Sequence, residues 1–293
     1  MEESILADKL NSNIWMTEQV SPSEMYLSEV EEIIYKGKST FQDLTVVKLF
    51  NGNKAFYLDN QLQSTTFDEY IYHELLVHFP FIIHQNPKSV LIIGAGEGAS
   101  AREALKWKNI ATIKLIELDP EVINCCKKYL PEMNKGAYEH NKVSIEFMDA
   151  MAFINNCKEK YDVIICDLCD QDLDRNLIIN LEFLQSAKKL LNNKGNILIQ
   201  SGEMPFQQDE TFLNYIKMLK STFKNIKILT TWIPSYCRNW AYVLLQDDEI
   251  RNFSEDEIKE IIHNNITDKL FFINEKTYLG IFNPPKYVQD YEK

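Results

Sequence analysis

The sequence predicts an α/β fold: a Rossmann-like parallel sheet preceded by a small N-terminal antiparallel β domain. Three observations carry this. Val90-Leu-Ile-Ile93 is an uninterrupted apolar run of the kind buried in a parallel strand, and Gly94, Gly96 and Gly98 follow it directly. From there on, strand-like and helix-like patterns alternate, and successive strands end in acidic residues. Residues 1–62 read differently, as short β-prone runs separated by turn residues. The expected division is therefore an N-terminal β-hairpin domain over 1–62 and a Rossmann-like catalytic domain over 63–293.

In the N-terminal part, residues 30–35, 44–50 and 55–58 are the β-prone runs, and Gly37 and Asn51-Gly52-Asn53 supply turns. Gln42 stands beside one of these strands. Residues 63–84 hold a dense polar cluster: Gln63, Asp68, Glu69, Tyr72, His73, Glu74, His78 and His84. The apolar spacing over 67–79 predicts a helix. His73, Glu74 and His78 invite a metal reading, but histidines five apart do not share a helix face. The cluster is expected instead to form the polar wall of a substrate pocket, with no metal.

The glycine run opens a nucleotide-binding α/β unit, with a helix expected over 99–106. Gly94, Gly96 and Ala99 satisfy the dinucleotide pattern, but Glu97 lies inside the loop. A pyrophosphate on the helix N-terminus would be repelled by that carboxylate, whereas a cationic ligand would be attracted. The loop thus reads as a nucleoside site with a positive charge nearby, which suits a sulfonium cofactor and a methyltransferase-type sheet.

A second strand over 113–118 ends in Glu117-Leu-Asp119, and Glu117 lies 19 residues beyond Gly98, where such folds place an acid on ribose hydroxyls. Pro120 begins a helix to 129. A third strand over 143–148 ends at Asp149-Ala150, a fourth over 161–166 at Asp167-Leu-Cys-Asp170, and a fifth covers 195–200. Residues 226–232 and 240–245 form a closing antiparallel pair around Pro234-Ser-Tyr236. Ligands of open α/β sheets bind at the carboxyl ends of strands. Glu97, Glu117, Asp149, Asp167 and Asp170 thus crowd one rim, and a cationic ligand relieves their repulsion. The inferred site takes a positively charged nucleoside and an amine. Ser254 and Glu257 form a capping-box pattern that opens a helix to 262, and Pro284-Pro285 is expected to end regular structure.

Composition sets limits. The chain has 293 residues, 45% of them hydrophobic, and a formal charge of −12. Phosphate binding wants a basic face, so nucleic acid is disfavoured as a partner. No apolar run approaches the ~20 residues of a membrane span, and the N-terminus shows no signal-peptide pattern. A cytoplasmic protein is expected, with its six cysteines reduced. Cys166-Asp-Leu-Cys169 lacks the second pair or the histidines that a zinc site would want.

The set Gln63-x4-Asp-Glu-Tyr-Ile-Tyr-His-Glu74, Gly-Ala-Gly-Glu-Gly98, Glu117-Leu-Asp119 and Asp167-Leu-Cys-Asp170 resembles the polyamine aminopropyltransferases, the spermidine, spermine and thermospermine synthases, over about 15–245. The resemblance implies decarboxylated S-adenosylmethionine as co-substrate, a polyamine acceptor, methylthioadenosine as leaving product and a homodimer. It implies that Gln42, Gln63 and His73 flank the cofactor, Glu97 holds its ammonium, Glu117 its ribose, and Asp149 with the Ala150 backbone its adenine. Asp167 resembles the catalytic base, and Tyr72, Asp170 and Tyr236 resemble residues that hold the acceptor amine. Glu97, where many members have Asp, resembles the thermospermine branch. The family's proline after the second Asp and its glycine-containing lid are missing: Gln171 follows Asp170, and Ile178-Ile179-Asn180 replaces the usual lid anchor. Putrescine, or spermidine as in a thermospermine or spermine synthase, is the expected acceptor. The readings set against this are a methyltransferase and a non-catalytic polyamine-binding relative.

Overall fold

The structure is a computed structural model and describes residues 14–21, 24–168 and 179–293. Among these residues the strands form two sheets. The first is antiparallel and runs in sequence order: β1 (Trp15–Ser21), β2 (Glu24–Lys38), β3 (Asp43–Leu49), β4 (Lys54–Leu58) and β5 (Gln61–Thr65). The three expected runs are β2, β3 and β4, and β1 and β5 flank them. Strand β5 straddles the expected boundary at residues 62 and 63. One face of this sheet, through Leu44, Val46, Phe56 and Leu58, packs on Val122, Cys125 and Cys126 of helix α3 (Pro120–Tyr129).

The second sheet has seven strands in the order β11-β12-β10-β9-β6-β7-β8. They are β6 (Ser89–Ile93), β7 (Thr112–Glu117), β8 (Val143–Phe147), β9 (Tyr161–Cys166), β10 (Leu191–Glu203), β11 (Asn225–Ile233) and β12 (Arg238–Gln246). Strands β10-β9-β6-β7-β8 pair in parallel, and β12 runs antiparallel between β10 and β11. The closing pair read from the sequence is thus the β11–β12 ribbon. Strand order reverses at β6, so the crevice for a ligand lies at the carboxyl ends of β6, β7 and β9.

Helices cover both faces. Helix α1 (Glu69–His84), α2 (Ala99–Leu105), α8 (Glu255–Asn265) and α9 (Glu275–Phe282) share one core with the sheet. Helices α5 (Ala150–Asn156), α6 (Leu181–Lys189) and α7 (Glu210–Thr222) share the other. Val90, Leu91, Ile92 and Ile93 are wholly buried, each worth about 1.5–3 kcal/mol of apolar transfer. Caps fix where the helices begin. Asp119 accepts from Glu121 N with Pro120 in the first turn, Asp149 accepts from Ala152 N, and Asn180 accepts from Phe183 N. The capping box at Ser254 and Glu257 is present.

Two expectations change. Pro284-Pro285 does not end regular structure, because α10 (Lys286–Gln289) follows and Val288 and Tyr291 are buried in the second core. Helix α1 also runs on to His84 despite Pro80. The Pro80 carbonyl accepts from Asn196 Nδ2 of β10 at 3.1 Å, which ties the helix to the sheet at that turn. No helix of the described residues is long and apolar enough to cross a membrane.

Candidate active site

A cavity opens at the switch point between the two sheets. The glycine loop forms its floor. Gly94 has φ +89°, and an ideal Cβ there would lie 2.0 Å from the Asp167 carbonyl oxygen, so only glycine lets the loop pass under β9. Gly94 and Gly96 line the cavity; Gly98 does not. At Gly98, with φ +82°, a Cβ would strike Tyr138 at 2.7 Å and Asn134 at 2.8 Å. Gly98 makes room for Tyr138, whose hydroxyl donates to the Gly96 carbonyl at 2.6 Å.

Strand ends supply the acids. Glu117 closes β7, and its carboxylate accepts from the N–H groups of Ala95 at 3.0 Å and Asp119 at 2.9 Å. Burial pushes its pKa up against those backbone donors. Asp149 and Ala150, after β8, line the cavity, and Asp149 Oδ1 caps α5. Asp167 follows β9. Its Oδ1 accepts from the Tyr72 hydroxyl at 2.6 Å and its Oδ2 from the Ser100 hydroxyl at 2.9 Å. Burial raises the Asp167 pKa, the Glu97 charge adds to that, and His73, Tyr72 and Ser100 oppose it. Four of the five expected rim acids thus meet in one cavity. Asp170, with residues 171–178 of the expected lid, lies outside the described residues.

Helix α1 brings in Tyr72 and His73. The His73 Nδ1 lies 2.8 Å from the Glu69 carbonyl and 2.9 Å from Glu69 Oε2, and Nε2 lies 3.4 Å from Glu97 Oε1. Arg102 holds Glu69 with two bonds of 2.9 Å. Burial works against the imidazolium, but Glu97 and Glu69 outweigh it and raise the His73 pKa to about 9. Burial would push Glu69 up, yet His73 and Arg102 bring it down to about 2.

The far wall is aromatic. Tyr72 and Tyr236 meet edge to face, with centroids 6.3 Å apart, and the Tyr236 and Trp240 rings lie at 4.7 Å. The Tyr236 hydroxyl donates to the Gln63 carbonyl. Gln42 lines the opposite side and donates to Asp119 Oδ2 at 3.1 Å. Gln42, Gln63, Tyr72, His73, Glu97, Glu117, Asp149, Ala150, Asp167 and Tyr236 are therefore all brought to one cavity.

Sequence reasoning overextended the polar cluster at 63–84. Glu74 is fully buried and accepts the backbone N–H groups of Phe271, Phe272 and Ile273 at 2.7, 2.8 and 2.9 Å. His78 Nε2 meets Glu103 at 2.8 Å while Trp107 Nε1 donates to its Nδ1 at 2.9 Å. His84 stands near Asp162 at the opposite end of the sheet. Asp68 accepts from Thr65 Oγ1 and Ser235 N, pinning the turn that carries Tyr236. None of these four lines the cavity. Sequence reasoning also missed residues. Ser100 reads as an ordinary first-turn residue of α2. Gln200 and Trp240 lie inside strands; their side chains meet at 3.1 Å, and Gln200 also donates to the Leu168 carbonyl. Asp119, directly before Pro120, was legible as a helix cap, and the structure adds its hold on Gln42.

A seven-stranded sheet of this order, with acids beyond β6, β7, β8 and β9 around a cavity on the switch point, is a Rossmann-like fold of the methyltransferase type. Residues 69–256 match the family model for the spermine/spermidine synthase domain, and the chain belongs to that family. It is similar to the polyamine aminopropyltransferase of Sulfolobus acidocaldarius, 32% identical over 279 residues, 94% of this chain and 92% of the relative. The Sulfurisphaera tokodaii polyamine aminopropyltransferase is 33% identical with the same coverage. Among solved structures, the spermidine synthase from Thermotoga maritima superposes with a TM-score of 0.84 at 26% identity, covering 96% of this chain and 94% of that one. A spermidine synthase in complex with the transition state analogue AdoDATO gives 0.85 at 25% identity, covering 96% and 95%.

Proposed function

We propose that the protein transfers the aminopropyl group of decarboxylated S-adenosylmethionine to an amine of a polyamine, with putrescine as acceptor and spermidine as product. One observation supports this most: Asp167 is held between the Tyr72 and Ser100 hydroxyls at the end of a cavity whose other strand ends carry Glu97, Glu117 and Asp149. Such a rim suits a ligand with a sulfonium and an ammonium and disfavours a phosphate. Glu117 serves the ribose hydroxyls, Asp149 and Ala150 the base, and Gln42, Gln63 and His73 flank the chain. Glu97 takes the ammonium. A methyltransferase would also have to seat a carboxylate, which Glu97 repels. The wall of Tyr72, Tyr236 and Trp240 receives the acceptor, and the family resemblance assigns Asp170 to the same task.

In the reaction the acceptor nitrogen forms a bond to the carbon attached to sulfur, the C–S bond breaks, and its electrons leave with neutral methylthioadenosine. The displaced proton of the amine passes to Asp167. Alkylammonium groups have pKa values near ~10, so a base is required at neutral pH. Holding nitrogen, carbon and sulfur in line supplies much of the remaining rate enhancement. We also propose a homodimer; β2 exposes the apolar residues Met25, Leu27 and Ile33, which suits burial against a second copy.

The test is turnover of the decarboxylated cofactor with putrescine, agmatine, cadaverine, spermidine or no acceptor, with products read by mass spectrometry. Spermidine from putrescine is expected. Product from spermidine alone would move the assignment to a thermospermine or spermine synthase, and binding without any product would leave a polyamine-binding protein. Asp167→Asn should bind cofactor and lose turnover; normal turnover in that variant removes Asp167 as base.

A further inference from the structure

We propose that His73 holds the place of the co-substrate's ammonium group, and that binding of the co-substrate expels a proton from His73 to solvent. This rests on the reading of the site given above and extends it to the proton balance of the binding step.

The geometry defines the charge state of His73. His73 is 3% exposed, so water does not solvate its ring. The Nδ1 faces only acceptors, the carbonyl and a carboxylate oxygen of Glu69, so it carries a hydrogen. The Nε2 faces Glu97 Oε1, also an acceptor, so it carries the second. Arg102 already compensates the Glu69 charge with its two bonds. The carboxylate that keeps the second proton on the ring is therefore Glu97, the group assigned to the incoming ammonium. Among the described residues, the remaining charged or titratable neighbours are Tyr72 on the same helix and Asp167 at the end of β9.

When the ammonium arrives, two cations compete for one buried carboxylate. A neighbouring like charge lowers the proton affinity of a cation by about 10- to 1000-fold. The ligand amine keeps its proton, because its ordinary pKa is near ~10, and the imidazolium gives way. The proton lost is the one on Nε2, since Nδ1–H stays bonded to the Glu69 carbonyl. The Nε2 lone pair then faces the ligand and accepts an N–H from the ammonium beside Glu97. The balance is one proton from the ring to the buffer on binding, and one returned after the products leave. Transfer of the aminopropyl group releases a separate proton, from the acceptor.

Methylthioadenosine is the control, because it has the same nucleoside with neither ammonium nor sulfonium. Titration calorimetry on the whole protein at pH 8, in phosphate, HEPES and Tris, gives the proton number as the slope of apparent enthalpy on buffer ionisation enthalpy. The expected result is release of about 0.5–1 proton with decarboxylated S-adenosylmethionine, none with methylthioadenosine, and no release with either ligand in His73→Gln. Equal slopes for the two ligands in the wild type overturn the proposal, whether or not the variant folds. So does undiminished release in His73→Gln. Failure of both ligands to bind overturns the site assignment itself and this proposal with it, a result distinct from binding without proton release.

Discussion

Gly94→Ala places a methyl group just beyond the paired ends of β6 and β9. The ideal Cβ lies 2.0 Å from the Asp167 carbonyl oxygen, and real Cβ contacts under 3.0 Å essentially do not occur. Loop and strand end must separate by about 1 Å. Two bonds resist that movement: Gly94 N–H to the Ile116 carbonyl at 2.9 Å, and Asp167 N–H to the Ile93 carbonyl at 2.8 Å. The left-handed φ of +89° adds about 1–2 kcal/mol for a non-glycine residue, and forced overpacking adds about 1–3 kcal/mol. The expected loss of stability is roughly 2–5 kcal/mol. Displacing Asp167, the proposed base, by such a distance should lower turnover about 100-fold. Gly136→Ala is the matched control, with φ +80°, nothing within 4 Å of the new Cβ and no place in the cavity lining. It should lose only the backbone strain, about 1–2 kcal/mol, and keep wild-type turnover. Urea unfolding and steady-state kinetics on both variants decide the matter. If Gly94→Ala matches Gly136→Ala in both measurements, the contact does not set the position of Asp167.

Three further outcomes are expected. Glu74→Gln leaves one oxygen for three N–H donors and turns an amide toward them; with about 1.5–3 kcal/mol for each bond to a charged group, unfolding free energy should fall by ~3 kcal/mol or more, with faster amide exchange at Phe271 to Ile273, and a loss under ~1 kcal/mol would contradict the clamp. His73 has a folded pKa raised to about 9, above its ordinary 6.5, so its contribution of roughly 3 kcal/mol is full below pH 6.5 and fades as pH rises to 9; the melting-temperature gap between wild type and His73→Gln should close over that window, and a constant gap would refute the charge state. Ser100→Ala removes a donor that stabilises ionised Asp167, so the acidic limb of kcat/KM should move to higher pH and Ser100→Thr should restore it, whereas a loss of rate with no movement of the limb would make Ser100 merely structural.

The parts of this protein legible in its sequence are those with a local signal. The strand Ser89–Ile93, the glycines behind it and the acids at the ends of β7, β8 and β9 each sit in a short pattern that one fold explains. Strands β1 and β5 gave no such signal. Trp-Met-Thr-Glu-Gln-Val-Ser and Gln-Leu-Gln-Ser-Thr are edge strands of mixed polarity, recognisable only beside their neighbours. The polar run 63–84 misled because eight polar residues on and before one helix do not share a destination. Tyr72 and His73 face the cavity, while Glu74 is claimed by backbone 197 to 199 residues away and His78 by Glu103 and Trp107. Nothing within the helix distinguishes these fates. Ser100 and Gln200 escaped notice for the same reason, since each acts through hydrogen bonds to residues distant in sequence.

The excess of carboxylates poses a chemical problem, and the geometry offers its solution. An acid-lined cleft concentrates ammonium ions but also stabilises them against losing a proton, so strong binding and deprotonation oppose each other. Burial raises Asp167 toward the amine from one side. From the other side, a fixed cation near the acceptor lowers its proton affinity. The proposed co-substrate would bring two positive charges into the same cavity, where His73 holds one beforehand. If His73 stayed protonated, a third cation would weaken co-substrate binding. If no cation remained, Asp167 would face an ammonium it cannot deprotonate. Exchange of the His73 proton for the ligand's charge keeps the local balance between those limits, and ties preparation of the acceptor to prior occupation of the co-substrate site.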